Sequence, residues 1–434
     1  MRQHHSLISE CSKFVIVFFK VLSCMVVLFH SAIADEYHYN DIIVGDRAAG
    51  LAGAYVAISD DPAGLFYNPA GIAYAPSSKL SASMNAYHTT RSNYKNVFAK
   101  ASGDKDWVRE SNVFMPNFFG IVQSLGPGVF GFSYAVTDAI LEDQDQTFEN
   151  INDSINQFTI NFNNQDTTYN IGPSYAVTIN DRFSVGLTLY GFFRHREKIL
   201  NQIFDFKDEV DANNNVVKVH QWENSYDEIE ESGIKPIIGF MWTPATKISL
   251  GLTLSKTVLF SSRFFFQRTC ATKRSESQLG CEQNNLVSEK YRDSSKRKFP
   301  WTVGLGATYF ASDRVLLTSS MWLYEKQNQA TKTLWNVAVG MEWYINEKFA
   351  LRTGVYTNYA NTPKVVSNRN SQLEHVDLLG GSISFSSFSR TTSLTLGANY
   401  SIGRGKAQVI DNNPAVQTLD ATSLTVFLSS SYAM

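Results

Sequence analysis

Long apolar runs are missing from nearly the whole chain. Past Asp35 no window of about 18 apolar residues occurs, so no helical membrane span is expected there. Charge imbalance is missing too. Lys and Arg total 38 against 40 Asp and Glu, which gives no electrostatic footprint for a nucleic-acid partner. Cysteine is scarce: there are four in 434 residues, and only Cys270 and Cys281 follow residue 35. No nucleophile motif or phosphate-binding loop is present. His38, His88, His195, His220 and His375 show no metal-ligand spacing, so no metal, no cofactor and no enzyme activity are expected. No repeat of about 20–50 residues is visible, which weighs against a propeller or solenoid.

One apolar run does exist, at the front. Residues 13–29 are almost wholly apolar, and Ala32-Ile33-Ala34 has the small-x-small pattern of a cleavage site. Residues 1–34 are therefore expected to be a signal peptide. A retained anchor is the alternative. Val21-Leu22-Ser23-Cys24 has some likeness to a lipoprotein box, but Met25–Phe29 continue the apolar core past that cysteine. In an exported chain the close pair Cys270 and Cys281 is expected to form a disulfide. A metal pair is the alternative, without a nearby His to support it.

What fills the rest is alternation with a period of two. In 247–255 Ile248, Leu250, Leu252 and Leu254 alternate with Ser249, Gly251, Thr253 and Ser255. In 335–343 Trp335, Val337, Val339, Met341 and Trp343 alternate with Asn336, Ala338, Gly340 and Glu342. This is strand patterning with one apolar face and one small or polar face. About fourteen such runs are expected, near 79–88, 111–124, 128–137, 166–179, 182–196, 232–243, 246–258, 298–310, 313–325, 333–344, 347–359, 375–386, 390–402 and 421–432. Short turns follow the even-numbered runs. Long polar connections are expected at 89–110, 138–165, 197–231, 259–297, 360–374 and 403–420. A sheet trimmed at one end and elaborated at the other, with an even strand number, has the layout of an outer-membrane barrel. In lipid every backbone polar group needs an internal partner, so the sheet must close. A large soluble sandwich is the competing all-β reading. It would bury its apolar face and trim both ends.

Residues 35–78 precede the first strand. They hold a Gly/Ala-rich stretch from Val44 to Tyr55, then Asp60-Asp61-Pro62, then Asn68-Pro69-Ala70-Gly71. This segment resembles the N-terminal hatch of the FadL/TodX family of long-chain fatty acid and hydrocarbon channels, with Asn68, Pro69 and Ala70 on that family's Asn-Pro-Ala motif. Strand count and a mature length near 400 residues extend the resemblance over the whole mature chain. It implies a fourteen-stranded antiparallel transmembrane β-barrel (79–434) with a luminal plug (35–78). It also implies ligand-gated, passive uptake of hydrophobic compounds, most of all long-chain fatty acids, with sideways exit into the outer membrane of a Gram-negative bacterium. The expected partners are hydrophobic small molecules and outer-membrane lipid, and the protein is expected to be a monomer. The chain ends on Tyr432-Ala433-Met434, where family barrels end on an aromatic residue.

Hatch and gating roles are expected for Arg47, Asp60, Asp61, Asn68, Pro69, Ala70 and Gly71. For Asn68 a plain turn role is the alternative. Parity places Tyr190, Phe192, Arg194 and Arg196 inward near the external mouth, which suits a carboxylate head group; a solvated loop base is the alternative. Arg352 and Glu342 also point inward and are expected to pair with each other or with the hatch. Pro116, Gly128, Gly131, Gly172 and Pro173 lie on the second to fourth strands. Proline removes a ladder donor and Gly allows a bulge, so these positions mark a lateral opening or a tolerated bulge. A different functional class stays open: a protein-interaction barrel of a secretion system, like the type IX shuttle barrel, or a surface adhesin or receptor.

Overall fold

A computed structural model describes residues 38–433 except 40–41, 76–77, 99–100, 153, 211–213, 215, 274–280, 282–283, 329–330, 370–371 and 410–414. The expected leader, 1–34, lies outside the described residues. The strands that close the barrel are β1 (Ser78–Tyr94), β2 (Trp107–Leu125), β3 (Gly128–Glu149), β4 (Ile155–Asn180), β5 (Phe183–Phe206), β6 (His220–Ala245) and β7 (Ile248–Ser255). They continue as β8 (Thr302–Ser312), β9 (Val315–Tyr324), β10 (Leu334–Asn346), β11 (Phe349–Asn358), β12 (Leu378–Phe388), β13 (Thr392–Ala407) and β14 (Gln417–Ala433). Each pairs antiparallel with the next, and β1 pairs with β14, so the fourteen-stranded sheet closes on itself. The final aromatic, Tyr432, sits in the closing ladders, opposite Leu80 of β1 and Thr392 of β13.

Burial alternates as the sequence pattern requires. On β5, Ser184, Thr188, Tyr190, Phe192 and Arg194 are buried, while Leu187 and Leu189 are 48% and 44% exposed on the opposite face. The outward apolar face of β13 is similar, with Leu394 and Leu396 open. These rows form a continuous apolar exterior with no protein to cover it, which suits hydrocarbon.

Several expected polar loops are instead strand. β4 and β6 each have 26 residues, more than twice the roughly 9–11 that a tilted strand needs to cross a bilayer. The connections shrink to 150–154 and 207–219. The region expected as a loop at 259–297 holds a further hairpin, Val258–Thr272 with Val287–Asp293, paired onto the upper part of β6. Above the membrane both faces of a strand meet water, so the apolar alternation that marks the lower halves fades while the ladder continues. Cys270 and Cys281 are joined by a disulfide in this external hairpin, with Cα atoms 5.5 Å apart.

Candidate functional site

The lumen is occupied from the short-turn end by residues 42–75. They form two short helices, α1 (Asp46–Gly50) and α2 (Gly64–Tyr67), and a 3-10 turn at Pro69–Tyr74. Helices this short cannot hold themselves. The barrel wall holds them. Thr188 Oγ1 donates to Leu65 O, Ser184 Oγ to Ala70 O, Thr318 Oγ1 to Ala54 O and Ser382 Oγ to Gly50 O, while Val56 N donates to Ser320 Oγ. The inward Ser and Thr residues thus satisfy backbone groups that an irregular buried segment would otherwise leave bare.

Wall glycines let that segment approach. A Cβ on Gly251 would collide with the Val56 carbonyl, and one on Gly239 with Asn68 Oδ1. Within the segment, Gly64 and Gly71 both pack on the Ser59 carbonyl, where any side chain would clash.

Asn68 ties three pieces of backbone together. Its Nδ2 donates to Val56 O (2.8 Å) and to Phe240 O of β6 (3.1 Å), and its Oδ1 accepts from Ala70 N as cap of the 3-10 turn. Pro69 occupies the first position of that turn, where no donor is needed. Asp61 Oδ1 accepts from Ala63 N. Arg47 reaches Asp60 at 2.5 Å and Glu342 of β10 at 2.7 Å. Glu342 is fully buried and also accepts from Arg352 Nε at 2.7 Å, directly opposite on β11. One carboxylate therefore joins two guanidinium groups, one from the wall and one from the luminal segment. Burial pushes the Tyr67 phenol well up, so it stays neutral and accepts from Val44 N.

Above this packed layer lies a cavity of about 690 Å³. Ile43, Phe66 and Tyr39 of the N-terminal segment line one side; Phe192, Phe299, Trp322 and Tyr356 line others. Arg194 lines it as well, but Asp166 of β4 holds its guanidinium through two hydrogen bonds of 2.9 and 2.5 Å, and Glu231 of β6 lies at 3.5 Å. Arg196 pairs with Asp227 at 2.8 Å. Tyr190 is buried and its hydroxyl meets Ser133 at 2.6 Å. The arginines that parity placed inward are thus counter-charged by neighbours two strands wide, which parity alone does not reveal.

The sequence pattern also contained a cation left unremarked. Lys235, directly opposite Tyr190, lines the cavity with its Nζ 4.8 Å from the Phe66 ring centroid. It has no salt-bridge partner among the described residues. A lone Lys at an inward position of Gly233-Ile234-Lys235-Pro236-Ile237 was the available signal.

The wall is interrupted beside the cavity. β2 and β3 are in ladder from Leu125↔Gly128 to Phe118↔Ala135 and meet again at Ser111↔Glu142, but 112–117 and 136–141 between them are unpaired. Pro116 lies in this stretch. Against β4, β3 has a bulge between Val136 and Asp138. Thr137 and Asp138 line the cavity, and Ile42 packs on Val136 and Ala139. Gly128 and Gly131 lie lower: Gly128 ends the β2–β3 turn, and Gly131 abuts Leu65. Gly172 and Pro173 pair with Ser133 and Phe132 just below the interruption, and Gly172 abuts the Leu189 carbonyl.

No protein-family model and no curated protein matches this chain. Solved structures do. A Pseudomonas aeruginosa FadL homologue is similar at 14% identity and TM-score 0.59, over 93% of this chain and 99% of that one. The Ralstonia pickettii toluene transporter TbuX is similar at 12% identity and TM-score 0.56, over 90% and 98%. A mutant of the monoaromatic hydrocarbon channel TodX reaches TM-score 0.64 at 10% identity, over 90% and 99%. The chain therefore has the fold of FadL/TodX-type channels over nearly its whole length.

Proposed function

We propose that this protein is an outer-membrane channel for passive uptake of hydrophobic compounds, with long-chain fatty acids as its cargo. It works as a monomer with residues 35–78 as its plug. The carrying observation is the placement of the cavity. It is closed from below by the luminal segment, and it touches the one stretch where β2 and β3 lack a ladder. Cargo entering from the external mouth meets aromatic walls, then an unladdered wall facing hydrocarbon. Sideways exit through 112–117 and 136–141 needs no energy source, because transfer of an alkyl chain into the bilayer is downhill by about 0.8 kcal/mol per CH₂. Pro116 keeps that stretch open on its own strand by removing a donor.

The choice of a fatty acid over a neutral hydrocarbon rests on charge. The mouth arginines already have carboxylate partners, whereas the Lys235 ammonium has none described and sits at an aromatic face. A carboxylate head placed there gains a charge-assisted hydrogen bond, and its tail lies among Phe66, Phe192 and Trp322.

The test is uptake of a labelled long-chain fatty acid and of toluene by cells lacking the gene, complemented with wild type or with Lys235→Met. Wild type is expected to restore both, and the variant toluene uptake alone. Equal fatty acid uptake by both proteins would remove the carboxylate assignment. No uptake of either compound above the deletion strain would remove the channel itself, and a loss of surface-protein export would then favour the secretion reading.

A further inference from the structure

Outside the lumen, one group of ligating side chains touches neither the cavity nor the interrupted stretch of wall. On the outward face of the upper wall, His195 of β5 stands directly opposite Glu230 of β6, and Glu228 follows two residues along on the same face. One imidazole nitrogen and two carboxylate oxygens from these residues all lie within 4.8 Å of one another. Below them on β5 the outward face turns to Phe193, Leu189 and Leu187, all exposed. The group therefore sits just above the apolar belt, at the external rim.

Two features make this more than a solvated acidic face. Glu197 stands directly opposite Glu228, so two carboxylates face each other across the ladder, an arrangement that costs stability unless a cation lies between or beside them. Glu228 accepts a hydrogen bond from the Tyr226 hydroxyl, which carries no charge to offset the pair. Neither carboxylate has a salt-bridge partner among the described residues, and the cation that does reach the group is Arg263, paired with Glu230. The Arg263 side chain is 75% exposed, so that pair contributes little and is readily displaced. The donor set is also informative. An imidazole with carboxylates suits zinc-class divalent ions, whereas Ca²⁺ and Mg²⁺ favour oxygen alone. Ligand atoms around a tetrahedral Zn²⁺ stand about 3.4 Å apart, so closure asks for a contraction of roughly 1.5 Å, within the reach of glutamate rotamers.

We propose that His195, Glu228 and Glu230 form a zinc-class divalent cation site on the outer face of the β5–β6 wall. The three side chains supply one nitrogen and two oxygen ligands, water completes the shell, and Glu197 adds negative potential. The bound ion ties two long external strands together at the level where the membrane ends.

Zn²⁺ titration of the full-length barrel in detergent, free of any histidine tag, tests this by calorimetry and by competition with a chromogenic chelator. About one tight equivalent is expected. His195→Gln should weaken it at least about tenfold, and the Glu228→Gln, Glu230→Gln double variant should abolish it. Arg263→Ala should tighten it, since it removes the competing cation. Co²⁺ substituted for Zn²⁺ should give a visible ligand-field band that disappears with His195→Gln. Ca²⁺ should bind at least about tenfold more weakly than Zn²⁺. No tight equivalent, Zn²⁺ binding unchanged by His195→Gln, or Ca²⁺ binding as tight as Zn²⁺ would each overturn the site. Thermal melting of each variant without metal shows that the fold is intact, so a loss of binding reads on the ligands.

Discussion

The two halves of the lumen are built on opposite principles. In the lower half the wall presents Gly, Ser and Thr, and the luminal segment presents Gly, Ala and Pro, so backbone meets backbone and wall hydroxyls such as Ser184, Thr188, Thr318 and Ser382 bond the segment's carbonyls. In the upper half the wall presents Phe192, Arg194, Lys235 and Phe299, and these side chains surround open space. Small residues on both partners make a packed seal; large residues of mixed chemistry make a receptacle. The contrast teaches that a barrel of one strand pattern can be closed at one level and open at another through its inward residues alone.

The sharpest way to break the seal is Glu342→Ala. It strips the carboxylate from between Arg47 and Arg352 and leaves two buried guanidinium groups facing each other. Removing one member of a buried ionic cluster costs about 3–5 kcal/mol, so thermal melting in detergent should show the largest loss of the series, with increased protease cleavage at 46–60. A change under about 1 kcal/mol would mean that the cluster does not hold the seal.

Gly251→Val attacks the same layer from the wall. Its side chain would occupy the space of the Val56 carbonyl, and overpacking of this kind costs about 1–3 kcal/mol. The expected phenotype is a looser plug, read as higher leak of small dyes through the barrel. A matched change on the outward face, Leu252→Val, should leave leak unaltered. Asn68→Ala comes next. It leaves the Val56 and Phe240 carbonyls without their donor, which costs about 1–3 kcal/mol. If Asn68 only fixes the plug, melting falls and fatty acid uptake per folded molecule does not. A fall in uptake with melting unchanged would assign it a gating role.

How much of this contrast could be read from sequence follows from the same physics. The membrane halves of the strands were legible because hydrocarbon outside and small residues inside impose a strict alternation. That pattern placed Arg194, Tyr190 and Glu342 on the inner face correctly. The Glu342–Arg352 pair was legible too, because a tight turn at Asn346 sets their register. The partners of Arg194 were not, since Asp166 and Glu231 come from strands whose register is fixed by long external ladders. Those ladders were themselves hidden, because water on both faces erases the apolar period between 138 and 165. Lys235 was missed for a simpler reason. A single cation inside an apolar strand looks like a tolerated exception until the cavity around it is seen.

The upper half offers the smallest effect, at its external rim. His375 lies in the connection before β12 and makes an isolated bridge with Lys406. Burial, the largest influence, holds its imidazole below the ordinary 6.5; Lys364, Lys332 and His38 push the same way, and Asp377 opposes them. Its buried Nδ1 has no hydrogen-bond partner among the described residues, so a proton added there would carry charge with no acceptor. Because the folded value is depressed, the neutral form stabilises this connection at pH above 6.5, and that stability is lost as pH falls below it. The protection of amides 372–377, taken relative to intrinsic exchange at each pH, should therefore fall on going from about pH 7.5 to pH 5.5, by severalfold and not by orders of magnitude. His375→Gln should flatten the dependence while leaving the lower seal, monitored at 46–72, unchanged at both pH values. If protection in the variant still falls as in wild type, the titrating group is another one and the rim owes nothing to His375.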